Sequence, residues 1–404
     1  MKILQLYYKM PFPVNDGGAY SIYHSTMALL SQGSAVKILA INTPKSWVHA
    51  ETIPAEFREK TKFEFVKVDT RIKAIPAIAN LLTSRSYFSE RYYSRKYAWR
   101  LYQLLQDEQY DVVQLEHLYM GVYLDVIRKY SSARVVLRAQ NVEHLLWNSI
   151  IANEADPYRA WYLKIANRRL TNFEKEISGK VDGIMAISDQ DSKVFRDLAP
   201  GKPNTSIPAG VDFTKLENSE PEKQYVNYPT FYHLGSMDWI PNQQGIRWFL
   251  EDVFPVIKYR FPEFTLHLAG KKMPEWVREM KIDGVIVDGE VADAMQYQSD
   301  KAILIVPLLS GGGIRIKIIE AMAMGKTVIS TSVGAEGIPC QDDLNILIAD
   351  TAEEFLKKVQ KCIESEEIAR GIGRYARKLA VSYYDDRNLG EKMIAFYKGI
   401  IAQS

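Results

Sequence analysis

Short apolar runs alternate with longer amphipathic stretches from the first residues onward. KILQLY (2–7), AVKILAI (35–41), KFEFVKV (62–68), YDVVQLEH (110–117), ARVVLRAQ (133–140) and VDGIMAIS (181–188) read as strands. They are rich in Val and Ile and mostly too apolar for one wet face, the mark of parallel strands covered on both sides. Helical spacing fills 19–32, 89–106, 157–178 and 189–197 between them. The pattern then restarts. NTSIPAGVD (204–212) leads into the polar stretch LENSEPEKQYVNYP, and a second series of strands follows. Its members are TFYHLGS (230–236), FTLHLAG (264–270), GVIVDG (284–289), KAILIVPL (301–308), KTVISTS (326–332) and LNILIAD (344–350), with helices at about 242–259, 314–324 and 352–364. Two rounds of βαβ alternation predict an α/β protein of two Rossmann-like, doubly wound parallel-sheet domains facing across a cleft. The expected domains are 1–205 and 206–385, with a last helix within 386–404 packing back on the first.

A length of 404 residues suits two or three domains. Its 51 basic and 49 acidic residues leave a formal charge of +2, which argues against a polyelectrolyte role such as coating nucleic acid. That sum hides a division. Residues 1–205 carry 28 Lys and Arg against 21 Asp and Glu, while the remainder carries 23 against 28. The two cysteines, Cys340 and Cys362, cannot build a disulfide framework or a Cys-rich zinc site. Pro11 and Pro13 interrupt the N-terminus too early for a signal peptide, and no apolar run approaches the ~18 residues of a membrane span. A cytoplasmic location is expected, peripheral on the inner face of the membrane if bound there at all.

The richest chemistry lies in SGGGIRIKIIEAMAMGKTVIS (310–330). A strand delivers the chain to Gly311, Gly312 and Gly313, and a helix follows at once. Glycines there admit a ligand to the backbone, and the first helical N–H groups form an anion site. Arg315 and Lys317 stand in the first turn, against the helix dipole, where a bound diphosphate would account for them. Glu320, one turn on, suits a ribose diol. A plain tight turn with solvated charges is the competing reading.

Other segments are more equivocal. Gly17-Gly18 precedes helix 19–32 without the GxGxxG of a nicotinamide enzyme, and a simple turn explains it equally. His117 ends YDVVQLEH at the edge where open sheets hold ligands, with Glu116 its rival one residue earlier. Asn141 and Glu143 in RAQNVEH follow the next strand, where Glu143 either serves the site or caps a helix. Asp189-Gln190-Asp191 imitates a metal-binding DxD, but Ser188 three residues before Asp191 reads as a helix cap, so no metal site is required. The six histidines show no metal-ligand pairing. SRSYFSERYYSRKYAWRLYQLL (84–105) mixes five basic with seven aromatic residues. Tyr93, Tyr97, Leu101, Leu104 and Leu105 should face the core. The rest form either an anionic-membrane surface or a solvated face.

Segment 310–330 resembles the signature region of the retaining glycosyltransferases of family 4, the group 1 family with the GT-B fold. Glu320-Ala321-Met322-Ala323 matches the second of that family's two spaced glutamates and its following helix. The first glutamate falls on Gly312, a departure. Pro208-Ala209-Gly210-Val211-Asp212 resembles the family's IPNGVD element, LGSMDWIPNQQGIRWF (234–249) its first C-domain loop, and GAEGI (334–338) a later glycine-rich turn. The loop offers Ser236, Asp238 and Asn242 but no cation before Arg247, which leaves the cationic role to Arg315 and Lys317.

The resemblance implies a GT-B enzyme moving a sugar, with retention, from a UDP- or GDP-sugar to the hydroxyl of a glycan or lipid-linked acceptor, without cofactor or metal. It assigns Gly17, Gly18, Gly235, Ser236, Gly289, Gly312, Gly313, Ile314 and Glu320 to the donor. His117 or Glu116, with Arg315 and Lys317, would serve catalysis, and Asn141 and Glu143 would lie near the sugar or acceptor. The alternatives are a nucleotide-sugar 2-epimerase on the same fold, or a catalytically silent nucleotide-sugar-binding subunit, which Gly312 and Gln140 keep open.

Overall fold

The computed structural model describes residues 1–14, 16–73, 80, 83–152, 154–213, 228–311 and 314–403. They form two compact units: Met1–Gly210 with Asp386–Ser404, and Val211–Asp385. The chain therefore passes from the first unit to the second at Gly210, a few residues beyond the sequence-based boundary at 205. Residues 204–206 add a last strand to the first sheet, which delays the crossing.

In the first unit, β1 (Lys2–Tyr7), β2 (Ala35–Asn42), β3 (Glu64–Lys67), β4 (Val112–Glu116), β5 (Arg134–Ala139), β6 (Gly183–Ala186) and β7 (Asn204–Ser206) form a parallel sheet in the order 3-2-1-4-5-6-7. The second unit repeats the scheme. Its strands β8 (Phe231–Leu234), β9 (Leu266–Ala269), β10 (Val285–Gly289), β11 (Ile303–Val306), β12 (Thr327–Ser330) and β13 (Leu347–Ile348) run parallel in the order 10-9-8-11-12-13. Two separate apolar clusters serve each unit's sheet, which is why the strands lack a polar face. Polar segments 214–227, which include most of LENSEPEKQYVNYP, lie outside the described residues.

The helices named below are α1 (Gly17–Ser31), α2 (Arg95–Asp107), α3 (Glu143–Ala152), α4 (Pro157–Lys180), α5 (Asp189–Leu198), α6 (Ile240–Trp248), α7 (Ile316–Ala323) and α8 (Asp386–Ala402). α8 belongs to the first unit and packs on α1. Asp386 meets His24 at 2.7 Å, and a Cβ at Gly390 would come within 2.2 Å of the Ala28 carbonyl, so the helices touch backbone to backbone. Asp189-Gln190-Asp191 opens α5, and the Ser188 hydroxyl accepts the Asp191 N–H at 3.1 Å.

Two local expectations need correction. The helix expected over 89–106 is broken: Tyr87–Glu90 and α2 are separated by Ser94, whose extended backbone donates to the Tyr123 hydroxyl at 3.0 Å. That break turns Tyr93 outward, 49% exposed against the Tyr123 ring, while Tyr97, Leu101, Leu104 and Leu105 are buried as the spacing predicts. Beyond α6 the helix passes through one π turn at Phe249–Val253, immediately before Pro255, which has no N–H to keep the ordinary ladder.

Candidate active site

In both units the strand order reverses between the first and fourth strands, β1 and β4 or β8 and β11. The carboxyl edge at such a reversal is where open α/β sheets hold ligands, and most sequence-flagged residues fall there.

In the first unit Tyr7 pairs with Glu116, so the next residues, Tyr8 and His117, leave the sheet side by side. Their ring centroids lie 4.2 Å apart, and Tyr119 packs on His117 at 4.4 Å. His117 adopts φ 134°, a region costing a non-glycine residue ~1–3 kcal/mol and met mainly at functional sites. Its Nδ1 accepts the Tyr119 N–H at 3.3 Å, and its Nε2 stands 3.2 Å from Glu143 Oε1. The Tyr119 hydroxyl donates to Glu143 Oε2 at 2.6 Å, and Asn141 Nδ2 lies 3.4 Å from Oε1. Burial by itself would raise the Glu143 carboxyl. The adjoining His117 charge and the bonds from His117, Tyr119 and Asn141 outweigh it and hold Glu143 below the usual carboxylate range.

Glu143 is placed by the start of α3. From α4, the fully buried Glu174 accepts the N–H groups of Glu143 (2.9 Å) and His144 (3.2 Å), and the His144 ring at 2.6 Å. Glu116 has a different environment. With no exposed surface, it accepts Ser25 Oγ at 2.7 Å, Gln140 Nε2 at 3.1 Å and Gln114 Nε2, and stands 3.6 Å from Arg138. Desolvation raises its carboxyl despite these partners. Glu116 is the last residue of β4 and is bonded to Ser25 of α1, whereas Glu143 opens α3 beyond the sheet edge. At α1, Asp16 precedes Gly17-Gly18 and accepts the N–H groups of Gly18 and Ala19, both at 3.0 Å, while pairing with Lys9.

The second unit gathers cations. Arg315 is the N-cap of α7, and Lys317 is its second residue. Lys317 Nζ donates to Asn242 Oδ1 at 3.0 Å and reaches 3.5 Å from His233 Nε2. His233 is fully buried. Its Nδ1 stands 2.8 Å from the Ile305 carbonyl, which can only accept, so Nε2 presents a lone pair to Lys317. These groups meet above Gly235. A Cβ there would lie 2.9 Å from Lys317 Nζ and Asn242 Nδ2 and 3.1 Å from His233 Nε2. Gly270, φ 157°, approaches still closer, since its Cβ would fall 1.7 Å from the Gly235 carbonyl. Desolvation and the Arg315 charge push the Lys317 ammonium down to about 7. Desolvation also lowers Arg315, against the opposing charge of Glu336, and its guanidinium stacks 5.0 Å above the Trp239 ring.

The remaining predicted residues lie around this cluster. Ser236 donates to Asp238 at 2.6 Å, and Asp238 also accepts Lys272 at 2.7 Å. Gly289 ends β10 with φ 78° and its carbonyl accepts the Gly270 N–H at 2.9 Å. Ile314 sits against Gly337 of the GAEGI turn, where a Cβ would come within 3.2 Å. Glu320 follows Lys317 by three residues on one face of α7. Gly312 and Gly313 lie outside the described residues. Arg247 stacks 4.5 Å over Trp276. Sequence reasoning missed Tyr8, Tyr119, Glu174, His233 and Trp239. His233 carried one usable signal, its place near the end of an apolar strand.

Two parallel-sheet α/β units, each with its polar residues at the carboxyl edge of a strand reversal, define a GT-B fold, the architecture of the solved structures this chain resembles. It is similar over its whole length to a sucrose-phosphate synthase from Thermosynechococcus elongatus, with 15% identity, 100% of each chain covered and a TM-score of 0.66. It is also similar to HepE of Anabaena, solved in complex with UDP, with 14% identity, 99% of this chain and 100% of that one covered and a TM-score of 0.65. Residues 228–365 match the family described as Glycosyl transferases group 1. An uncharacterized 44.6 kDa protein in the cps region of Klebsiella pneumoniae is 24% identical over 374 residues, covering 89% of this chain and 90% of that protein.

Proposed function

We propose that the protein is a retaining GT-B glycosyltransferase that moves a hexose from a UDP- or GDP-sugar to the hydroxyl of a glycan or lipid-linked saccharide. The observation that carries this reading is the convergence of Lys317, Arg315, Asn242 and His233 over Gly235 at the carboxyl edge of β8. Transfer asks little proton movement. Its main demand is to stabilise charge on the departing diphosphate while the anomeric carbon becomes oxocarbenium-like. Arg315 and Lys317 meet that demand, Glu320 holds the ribose, and the loops at Gly235, Ser236, Gly289, Gly312, Gly313 and Ile314 admit the donor to the backbone. In the first unit, Gly17-Gly18, His117 and the Glu143 carboxylate beside Asn141 face sugar or acceptor. The His117 imidazole, its Nε2 facing Glu143, acts as a positioned polar group. Cell-surface polysaccharide synthesis at the cytoplasmic side of the membrane is the setting this reading gives. A relative in a cps region and a structural neighbour holding UDP support it.

Thermal stabilisation across a panel of nucleotide sugars identifies the donor, since a ligand at 100 times its Kd adds ~2.7 kcal/mol. With that donor, Lys317→Ala should weaken binding and slow turnover at least about tenfold, the scale of one charge-assisted hydrogen bond. Unchanged donor hydrolysis in Lys317→Ala overturns the assignment.

A further inference from the structure

α3 and α4 form a helical hairpin whose outer surface is apolar and basic together. The inner side of α3 is already satisfied: Glu143 and Ile151 are buried and Trp147 stacks on Phe88 at 4.0 Å. Its outer side nonetheless exposes Leu145, Leu146 and Ile150, and the start of α4 exposes Tyr158 (85%) and Trp161 (59%). A helix apolar on both sides normally has something to bury each of them. α4 supplies the charge. From Pro157 to Phe173 it has Arg159, Lys164, Arg168 and Arg169 and no acidic residue. Arg169 turns to the Asn80 carbonyl at 2.7 Å and Arg159 pairs with Glu154 at 3.1 Å, whereas Lys164 and Arg168 are exposed.

Segment 84–105, the basic aromatic stretch singled out by composition, is different. Arg100 is bound by Glu64 at 2.6 Å, Arg85 by Glu90 at 3.3 Å, and Arg91 donates to the Phe88 carbonyl at 3.2 Å. Much of its charge is spent inside the fold.

We propose that the α3–α4 hairpin docks the first unit onto an anionic lipid bilayer. Trp161 and Tyr158 enter the headgroup region, Leu145, Leu146 and Ile150 the acyl boundary beneath it, and Lys164 and Arg168 meet lipid phosphates. Charge complementarity selects this occupant over a second copy of the chain, because a two-fold interface through the patch would set its own cations against one another. Among the described residues no helix is long and apolar enough to cross a membrane, so the contact is one of surface docking. α3 begins at Glu143, the partner of His117, so docking would bring this edge of the sheet toward the bilayer, where a lipid-linked acceptor resides. That last point rests on the glycosyltransferase reading; the docking itself does not.

Co-sedimentation of the full chain with phosphatidylcholine vesicles containing ~30% phosphatidylglycerol, at low salt and without donor or acceptor, tests it. Binding should exceed that to pure phosphatidylcholine at least about tenfold and fall as salt is raised. Lys164→Glu with Arg168→Glu should cut it at least about tenfold, as ~1 kcal/mol per cation implies. Leu145→Glu with Ile150→Glu and Trp161→Glu should cut it further. Lys96→Glu, on the 84–105 segment, should change it less than about twofold. Equal binding to both vesicle types overturns the proposal, as does wild-type binding by both multiple variants. So does a wild-type dimer that the apolar triple variant converts to monomer, which would make a second copy the occupant. Because no sugar transfer is read, loss of docking leaves the proposed reaction standing, and an inactive Lys317→Ala that still docks separates the two.

Discussion

Two helices in this protein begin in comparable places and are treated in opposite ways. α1 starts just beyond β1 at Gly17, and its first N–H groups are taken by the protein's own Asp16, itself paired with Lys9. α7 starts after β11 and its glycines, and is headed by Arg315 and Lys317 with no side-chain cap. A helix N-terminus favours negative charge, so the first arrangement meets that preference while the second sets cations against it. The same difference separates the buried carboxylates of the first unit from Lys317. Glu116, Glu143 and Glu174 each have several donors around them, and bonding holds Asp16 and Glu143 below the ordinary carboxylate range although burial opposes it. At Lys317, burial and a like charge act together and nothing in the cluster reverses them. A polar cluster with matched charges holds a fold in place, whereas cations crowded together at a helix start are the kind of cluster a bound anion would relieve.

Removing a partner from the complete half should have the largest effect. Glu116→Ala leaves Arg138 buried without its carboxylate and should cost about 3–5 kcal/mol in denaturant unfolding. A loss under about 1 kcal/mol would show the network to be ornamental.

The incomplete half should show itself in pH dependence. With the Lys317 ammonium depressed to about 7, the unfolded chain keeps that proton to higher pH than the folded one. Stability without ligand should therefore rise as pH increases through about 7. Donor binding should do the reverse: the diphosphate needs the charged form, so the Kd should weaken above about pH 7, approaching tenfold per unit. Calorimetric titration from pH 6 to 9 reads the slope, and Lys317→Met should abolish it. A flat wild-type profile means that Lys317 does not touch the diphosphate.

The smallest effect concerns the cap itself. Asp16→Ala should cost about 1 kcal/mol, as for loss of an N-cap carboxylate, with α1 otherwise intact. A markedly larger loss would show that Asp16 organises more than the helix start.

Much of the architecture was legible because buried parallel strands leave a continuous apolar record. β1 and α8 are placed almost residue for residue, and every strand from β1 to β6 and β8 to β13 overlaps an apolar run. The short β7 was not visible, since Asn204-Thr205-Ser206 has no apolar signature and is ordered only by pairing with β6. Tyr93 was misplaced because spacing assumed an unbroken helix, and Ser94 breaks it through a contact with Tyr123, 29 positions away in sequence. In the site, glycines and cations next to an apolar run were readable. Their partners were not: Glu174 reaches Glu143 from another helix, and His233 reaches Lys317 from another strand.

By itself the sequence determined the two α/β units, the glycine-and-cation segment before α7 and the unequal charge of the two halves, because periodicity, glycine and charge are local properties. Only the tertiary structure decided that His117 belongs with Glu143 while Glu116 belongs to the core, and that Lys317 is crowded by Arg315 and His233. It also decided that the basic aromatic stretch at 84–105 spends much of its charge on neighbours. Whether a charge is matched depends on which distant residue folding brings within about 3 Å, and a linear pattern does not record that distance.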